Sequence, residues 1–111
     1  MIAVNKLILL GPAYQIKSIP TRSGKAMLSF TIKTWRPAGK NQDGSKKEDI
    51  KAWHNVVAYG GAAEVLERYL VDGKVIYVEG TVDYYKDKDG VNRTQIILES
   101  FSFVGDSEKA S

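Results

Sequence analysis

One stretch of this 111-residue chain has the period of an α-helix, and its position limits the possible folds more than any other feature. In AAEVLERYL, residues 62–70, apolar side chains recur at i, i+3, i+4, i+7 and i+8. Asp72-Gly73 is a typical end for such a helix. The other regular segments have the character of β-strands, three before the helix and two after it. The sequence therefore predicts the order β-β-β-α-β-β.

Five extended segments surround this helix, each bounded by glycine, proline or charged turns. They are VNKLILLG, AMLSFTIKTW, the strand that contains WHNVVAYG, KVIYVEGTVDYY with a bend or bulge at Gly80, and RTQIILESFSFV. Five strands with one helix between the third and the fourth are what a Greek-key OB barrel requires. We therefore expect an all-β fold with one short helix, a five-stranded OB-fold barrel formed by residues 1–104. Residues 105–111, GDSEKAS, are expected to form a short polar tail.

The second strand alternates between two faces, as a half-buried strand should. Leu28, Phe30 and Ile32 are predicted to face the core. The opposite, polar face holds Ser29, Thr31, Lys33 and Trp35. Because its neighbours on that face are polar, Trp35 is expected to be exposed.

Aromatic residues in the third strand leave two interpretations open. In WHNVVAYG, residues 53–60, Trp53 and Tyr59 share one face with Val57 because strand side chains alternate. They either fill the core or stand exposed to a flat ligand. His54 lies on the opposite face and is interpreted as a packed or interface histidine. The adjacent Tyr84 and Tyr85 are expected to point to opposite faces, one inward and one outward.

Composition and motifs argue against an enzyme. The chain has no cysteine and a single histidine, so thiolate metal sites are excluded, and neither a metal site nor a cofactor is expected. It has no phosphate-binding loop, no nucleophile elbow and no HExxH pair. The apolar run after Lys6 is too short for a signal peptide or a membrane span. We therefore expect a cytoplasmic protein that does not bind membranes.

Positive charge is concentrated in loops next to these aromatic residues. The formal net charge is +3, residues 17–25 carry three basic residues and no acidic one, and residues 36–51 carry five basic and three acidic residues. Exposed rings can stack on bases of any sequence while cations neutralise the phosphates. The candidate phosphate-binding residues are Lys17, Arg22, Lys25, Lys33, Lys40, Lys46, Lys47, Lys86 and Lys88.

Four stretches carry a resemblance to a known family. VNKLILLG, SFTIKTW, WHNVVAYGGAAEVLERYLVDGKVIYVEG and QIILES, in this order, resemble the bacterial single-stranded DNA-binding protein family over nearly the whole chain. The resemblance implies a protein that coats single-stranded DNA without strong sequence preference in replication, recombination and repair. It implies a homotetramer with Val4, Lys6 and His54 at or near the subunit contacts. It also implies base stacking by Trp35, Trp53 and Tyr59, with Tyr85 in place of a family aromatic near Asp87.

The chain departs from the family pattern in two further places. The segment after Gly11 is shorter than in the family and lacks its Asp-Pro pair. GDSEKAS has no acidic, Phe-ended tip, so recruitment of replication proteins is not expected, and the chain is either truncated or a short form encoded by a phage or mobile element. Two alternatives remain, a primosome-type accessory OB protein that works through protein contacts and an RNA-binding OB domain. Retention of all three stacking rings favours the coating protein over the accessory.

Overall fold

The computed structural model describes residues 2–104 and has the predicted order of elements. They are β1 (Leu7–Ser18), β2 (Met27–Arg36), β3 (Ile50–Tyr59), α1 (Gly60–Tyr69), β4 (Val75–Lys86) and β5 (Asn92–Phe103). The strands close into a barrel in the order β1-β2-β3-β5-β4, in which β3 and β5 are parallel and the other pairs antiparallel. This arrangement agrees with the predicted five-stranded barrel. The predicted polar tail lies outside the described residues.

The first strand differs from its prediction at both ends. It begins at Leu7 rather than at Val4, and it continues beyond Gly11 to Ser18. Its first half, Leu7 to Pro12, pairs with β4, and its second half pairs with β2. One long strand therefore serves two neighbours and helps to close the barrel.

Backbone geometry explains why Gly11 and Pro12 do not end this strand. A Cβ atom at Gly11 would lie 2.3 Å from the carbonyl oxygen of Lys33, so glycine allows the two strands to approach closely here. Gln15 has a φ of 56°, and the pairing register shifts between Tyr14 and Lys17. This irregularity is a distortion of the bulge type within the pairing of β1 with β2.

The core lies inside the barrel and beneath the helix. Phe30 and Ile32 of β2, Val56 of β3 and Leu66 of α1 are among its most deeply buried side chains. Thr31, predicted on the polar face, is buried as well. Its cross-strand partner is Tyr14 of β1, and its hydroxyl donates a hydrogen bond of 3.1 Å to the carbonyl oxygen of that residue.

The helix begins and ends earlier than predicted. It starts at Gly60 rather than at Ala62, and it ends at Tyr69, before the turn that contains Gly73. The N–H of Leu70 still donates to the carbonyl oxygen of Leu66, at 2.8 Å. Gly73 has a φ of 88° and donates its N–H to the carbonyl oxygen of Ala13, so the turn after the helix is tied to β1.

The β4–β5 hairpin extends past the barrel. The predicted irregularity at Gly80 is confirmed as a register shift between Glu79 and Gly80. β3 pairs with β5 only at Ile96 and Ile97, so in the outer part of the hairpin β4 and β5 pair only with each other. Tyr84 and Tyr85 are consequently both exposed, by 76% and 41%. The prediction that one of them packs inward is wrong, because both rings are exposed and neither belongs to the buried core.

Candidate nucleic-acid interface

Two tryptophans and a lysine form a cluster on the outer face of β2 and β3. Lys33 is the direct cross-strand partner of Trp53. Its Nζ lies 5.8 Å from the ring centroid of Trp35 and 5.7 Å from that of Trp53. Both tryptophans are more than half exposed, at 55% and 56%. A cation between two exposed rings can hold a phosphate beside stacked bases.

Tyr14 supports this cluster and was not predicted from the sequence. Its ring meets the ring of Trp53 edge to face, with centroids 5.8 Å apart and an interplanar angle of 63°. The contact depends on the pairing of β1 with β2, in which Tyr14 is the direct cross-strand partner of Thr31. The alternation of side chains along one strand does not predict a contact between two strands.

The two interpretations of Trp53 and Tyr59 are now resolved. Tyr59 is 41% exposed and lies on the same face of β3 as Trp53, about 20 Å further along at the usual rise of a strand. The core is filled instead by the opposite face of β3, where Val56 and Ala58 are fully buried. Both aromatic rings are therefore open to solvent rather than part of the core.

A cleft of about 420 Å³ connects this face to the β4–β5 hairpin. Its lining residues come from all five strands or their ends and are Ile19, Met27, Ser29, Asn55, Val56, Val57, Tyr85 and Gln95. Tyr85 is thereby brought to the same side of the barrel as Tyr59 and Trp53. Asn55 could have been found from strand alternation, since it lies between Trp53 and Val57. Gln95 could not, because its place depends on how β5 joins β3.

The basic turn before β2 lies at the Tyr59 end of the face. Lys17 is near the end of β1, opposite Ser29, and Arg22 and Lys25 follow in the turn. Thr21 closes this turn by donating its hydroxyl to the carbonyl oxygen of Lys25, at 2.7 Å. A Cβ atom on Gly60 would lie 3.6 Å from Cε of Lys25, which places that side chain next to the residue after Tyr59.

The remaining basic candidates lie on two hairpins. Lys40 and Lys46 face each other in an isolated bridge within the loop between β2 and β3, and the N–H of Lys47 donates to the carbonyl oxygen of Gly39. All three lysine side chains are exposed. Lys86 and Lys88 are exposed at the outer end of the β4–β5 hairpin. The structure thus joins Lys33 directly to the aromatic rings and leaves these five cations on the surrounding loops.

The residues predicted at subunit contacts do not belong to this face. His54 is half-buried on the opposite side of β3, with its Nε2 2.9 Å from the hydroxyl of Thr34, and burial lowers its pKa. Lys6 forms a salt bridge of 3.0 Å with Glu79 of β4. Val4 precedes β1 and is 85% exposed.

Residues 2–104 contain no group of three or more His, Cys, Asp or Glu side chains that could hold a metal ion.

In the same part of the chain, no helix is both long and apolar enough to cross a bilayer.

Solved structures with the same arrangement of strands are found among single-stranded DNA-binding proteins. A deletion mutant of the protein from Thermus aquaticus matches with a TM-score of 0.78 and 23% identity, over 94% of this chain and 52% of that one. A complex of Plasmodium falciparum SSB with ssDNA matches with a TM-score of 0.78 and 19% identity, over 95% of this chain and 98% of that one. These likenesses confirm the predicted OB-fold barrel.

Sequence comparison gives the family. The model described as the single-strand binding protein family matches residues 4–104. Single-stranded DNA-binding proteins of Neisseria meningitidis serogroups A and B are each 31% identical over 100 residues, which cover 83% of this chain and 53% of the relative. The chain thus spans about half the length of these curated relatives. Because the family model spans nearly the whole chain, this chain belongs to the single-strand binding protein family.

Proposed function

We propose that this protein binds single-stranded DNA without strong sequence preference and coats it during replication, recombination and repair. The observation that carries the proposal is the cluster on β2 and β3, in which Lys33 lies within 6 Å of the rings of two tryptophans that are more than half exposed. Exposed rings beside a cation, on one face of a barrel, match the chemistry of a strand of bases linked by phosphates.

Stacking supplies the affinity that does not depend on base identity. Trp35, Trp53 and Tyr59 lie along one face and stack on successive parts of the strand, and Tyr85 adds a ring from the other side of the cleft. Each base–ring contact contributes about 1 to 3 kcal/mol, and all four bases have a π-face. Binding by these rings is therefore tolerant of sequence.

The basic residues supply the phosphate contacts. Lys33 acts between the rings, and the surrounding turns and hairpins contribute Lys17, Arg22, Lys25, Lys40, Lys46, Lys47, Lys86 and Lys88. Each phosphate neutralised on a single strand adds about 0.7 to the negative slope of log affinity against log salt concentration. These contacts position the strand but carry no base information.

Assembly into a homotetramer completes the proposal, because four copies multiply the number of stacking rings. Exposed apolar side chains on and before β1, such as Val4, Ile8 and Leu10, support a contact between copies. Lys6 is held next to them by Glu79, and the Tyr77 hydroxyl, which donates a hydrogen bond of 2.6 Å to Glu79, is the main reason that the pKa of this carboxyl is lowered. Burial lowers the pKa of His54 and so favours its uncharged form, which suits a packed contact better than a charged ring would.

In this function no covalent bond is made or broken, and no cofactor takes part. We place the activity in the bacterial cytoplasm, or in that of a bacterial host if a phage encodes the protein.

Titration with oligo-dT tests the proposal. Both tryptophans of the chain are in the cluster, so binding should quench intrinsic fluorescence strongly. Oligo-U of equal length should bind more weakly if DNA is the ligand. Light scattering with and without oligo-dT should report a tetramer. A protein that leaves the fluorescence unchanged and does not retain oligo-dT at low salt would contradict the proposed binding, and a monodisperse monomer would contradict the assembly.

A further inference from the structure

The tip of the β4–β5 hairpin is closed by the carboxylate of Asp87. Its Oδ1 accepts hydrogen bonds from the backbone N–H groups of Asp89, at 2.9 Å, and of Val91, at 3.0 Å. Its Oδ2 accepts a hydrogen bond of 2.9 Å from Nε of Arg93. The two carboxylate oxygens of Asp87 therefore have different hydrogen-bond partners. One shapes the turn, and the other holds a guanidinium group.

Strand register places Arg93 beside the cleft. Arg93 is the direct cross-strand partner of Tyr85, and Gln95, two residues further along β5, points to the same face. Tyr85 and Gln95 both line the cleft. Arg93 thus lies at the outer end of the surface where the fourth ring is exposed, and its side chain is 56% exposed.

The contact with Asp87 leaves the end of the guanidinium group suited to bind an anion. It engages Nε, whereas a guanidinium has five N–H donors in a planar fork that matches phosphate oxygens. A side chain that is already held in place also loses less conformational freedom when it binds. Lys86 and Lys88 lie on the same hairpin, but within residues 2–104 neither forms a salt bridge like that between Arg93 and Asp87.

We propose that Arg93 binds a phosphate of single-stranded DNA next to the base that contacts Tyr85, and that Asp87 is a positioning residue that directs the guanidinium towards it. The inference rests on the proposed function. It has a consequence that simple charge counting does not predict. Asp87 is a negative charge near a polyanion, so its removal should strengthen binding if it only repels DNA and should weaken binding if it positions Arg93.

Three single substitutions separate these possibilities. Asp87→Asn retains an oxygen that can accept from the backbone of the turn but loses the carboxylate that holds Arg93. Arg93→Gln removes the guanidinium. Asp89→Asn is the matched control, because it removes the same charge from the same turn without removing a bond to Arg93. The affinity for a fluorescein-labelled oligo-dT is measured by anisotropy between 50 and 300 mM NaCl, and thermal unfolding shows whether each variant is folded.

Arg93→Gln should weaken binding about fivefold at 0.1 M salt and lower the slope of log affinity against log salt by about 0.7, as expected for one phosphate contact. Asp87→Asn should weaken binding in the same direction, and Asp89→Asn should leave it unchanged or strengthen it slightly. The double variant Asp87→Asn with Arg93→Gln should bind no more weakly than Arg93→Gln alone, because the carboxylate acts through the arginine. A merely structural role of Asp87 would add its loss to that of Arg93 instead.

Two results would overturn the inference. The first is unchanged affinity and salt slope in a folded Arg93→Gln protein. The second is tighter binding by both Asp87→Asn and Asp89→Asn, since it would mean that the carboxylate only repels DNA. If the unaltered protein does not bind oligo-dT, the proposed function itself fails. If it binds and Arg93→Gln has no effect, only the present inference fails.

Discussion

Replacement of Trp53 with alanine tests the central element of the proposed interface. The side chain is 56% exposed and contacts the ring of Tyr14 and the Nζ of Lys33. If its exposed face stacks on a base, Trp53→Ala should cost about 1 to 3 kcal/mol of binding free energy per base contact. The dissociation constant for oligo-dT should therefore rise about 5-fold to 140-fold.

The same substitution should leave the domain folded. It removes one edge-to-face ring pair, which is worth about 0.5 to 1.5 kcal/mol, and one exposed cation–π contact, which is worth about 0.5 to 1 kcal/mol. A small domain is typically stable by about 5 to 15 kcal/mol. Val56 and Ala58, the fully buried residues of β3, point to the other side of the strand. The loss of binding can thus be measured on a native protein.

The assay uses anisotropy of a labelled oligo-dT, because the substitution removes one of the two tryptophans and changes the intrinsic fluorescence. Trp53→Phe should recover much of the affinity, since a smaller ring can still stack. Tyr69→Ala is the matched control. Tyr69 is also 56% exposed, but it lies on α1, outside the ring face, so its removal should not change binding.

Unchanged affinity in a folded Trp53→Ala protein would refute the reasoning. Exposure and the neighbouring cation would then be incidental, and Trp53 would be a surface residue that supports only Tyr14. Equal losses in Trp53→Ala and Tyr69→Ala would point instead to a general loss of stability.

Three further predictions concern charge, backbone and assembly. Replacement of Lys46 and Lys47 with glutamate should lower the slope of log affinity against log salt concentration, and it should weaken binding to dT, dC and mixed oligonucleotides alike, because phosphate contacts carry no base information. A loss of affinity for only one sequence in anisotropy titrations would contradict this. Gly80→Ala should destabilise the fold by at least about 2 kcal/mol in urea unfolding, because its Cβ would lie 2.3 Å from the carbonyl oxygen of Ile97; an unchanged midpoint would refute the close approach. His54→Glu should shift light scattering towards smaller species if this half-buried side chain lies in a subunit contact, and an unchanged mass would remove it from that contact.

Local patterns in the sequence were enough to predict the order of elements. The helix has a clear 3.6-residue period, and β2 alternates cleanly, so their hydrophobic faces can be recognised without a structure. Gly80 was recognised as an irregularity because a glycine inside an apolar strand often marks a bulge or a bend. β1 was predicted too short, since Gly11 and Pro12 resemble a strand end unless the neighbouring strand is known.

The sequence by itself determined that Trp53 and Tyr59 share a face and that Trp35 stands among polar residues. It could not determine which face of β3 is the core, because Val56 and Val57 are equally apolar and point in opposite directions. Only barrel closure decides this, since it turns the face of Val56 inward and leaves the rings outside. Tertiary structure likewise placed Tyr14 against Trp53, and Arg93 beside the cleft with its guanidinium on Asp87. These contacts depend on the pairing of β1 with β2 and on the register of a hairpin, and such geometry arises from pairing between distant segments rather than from any local pattern.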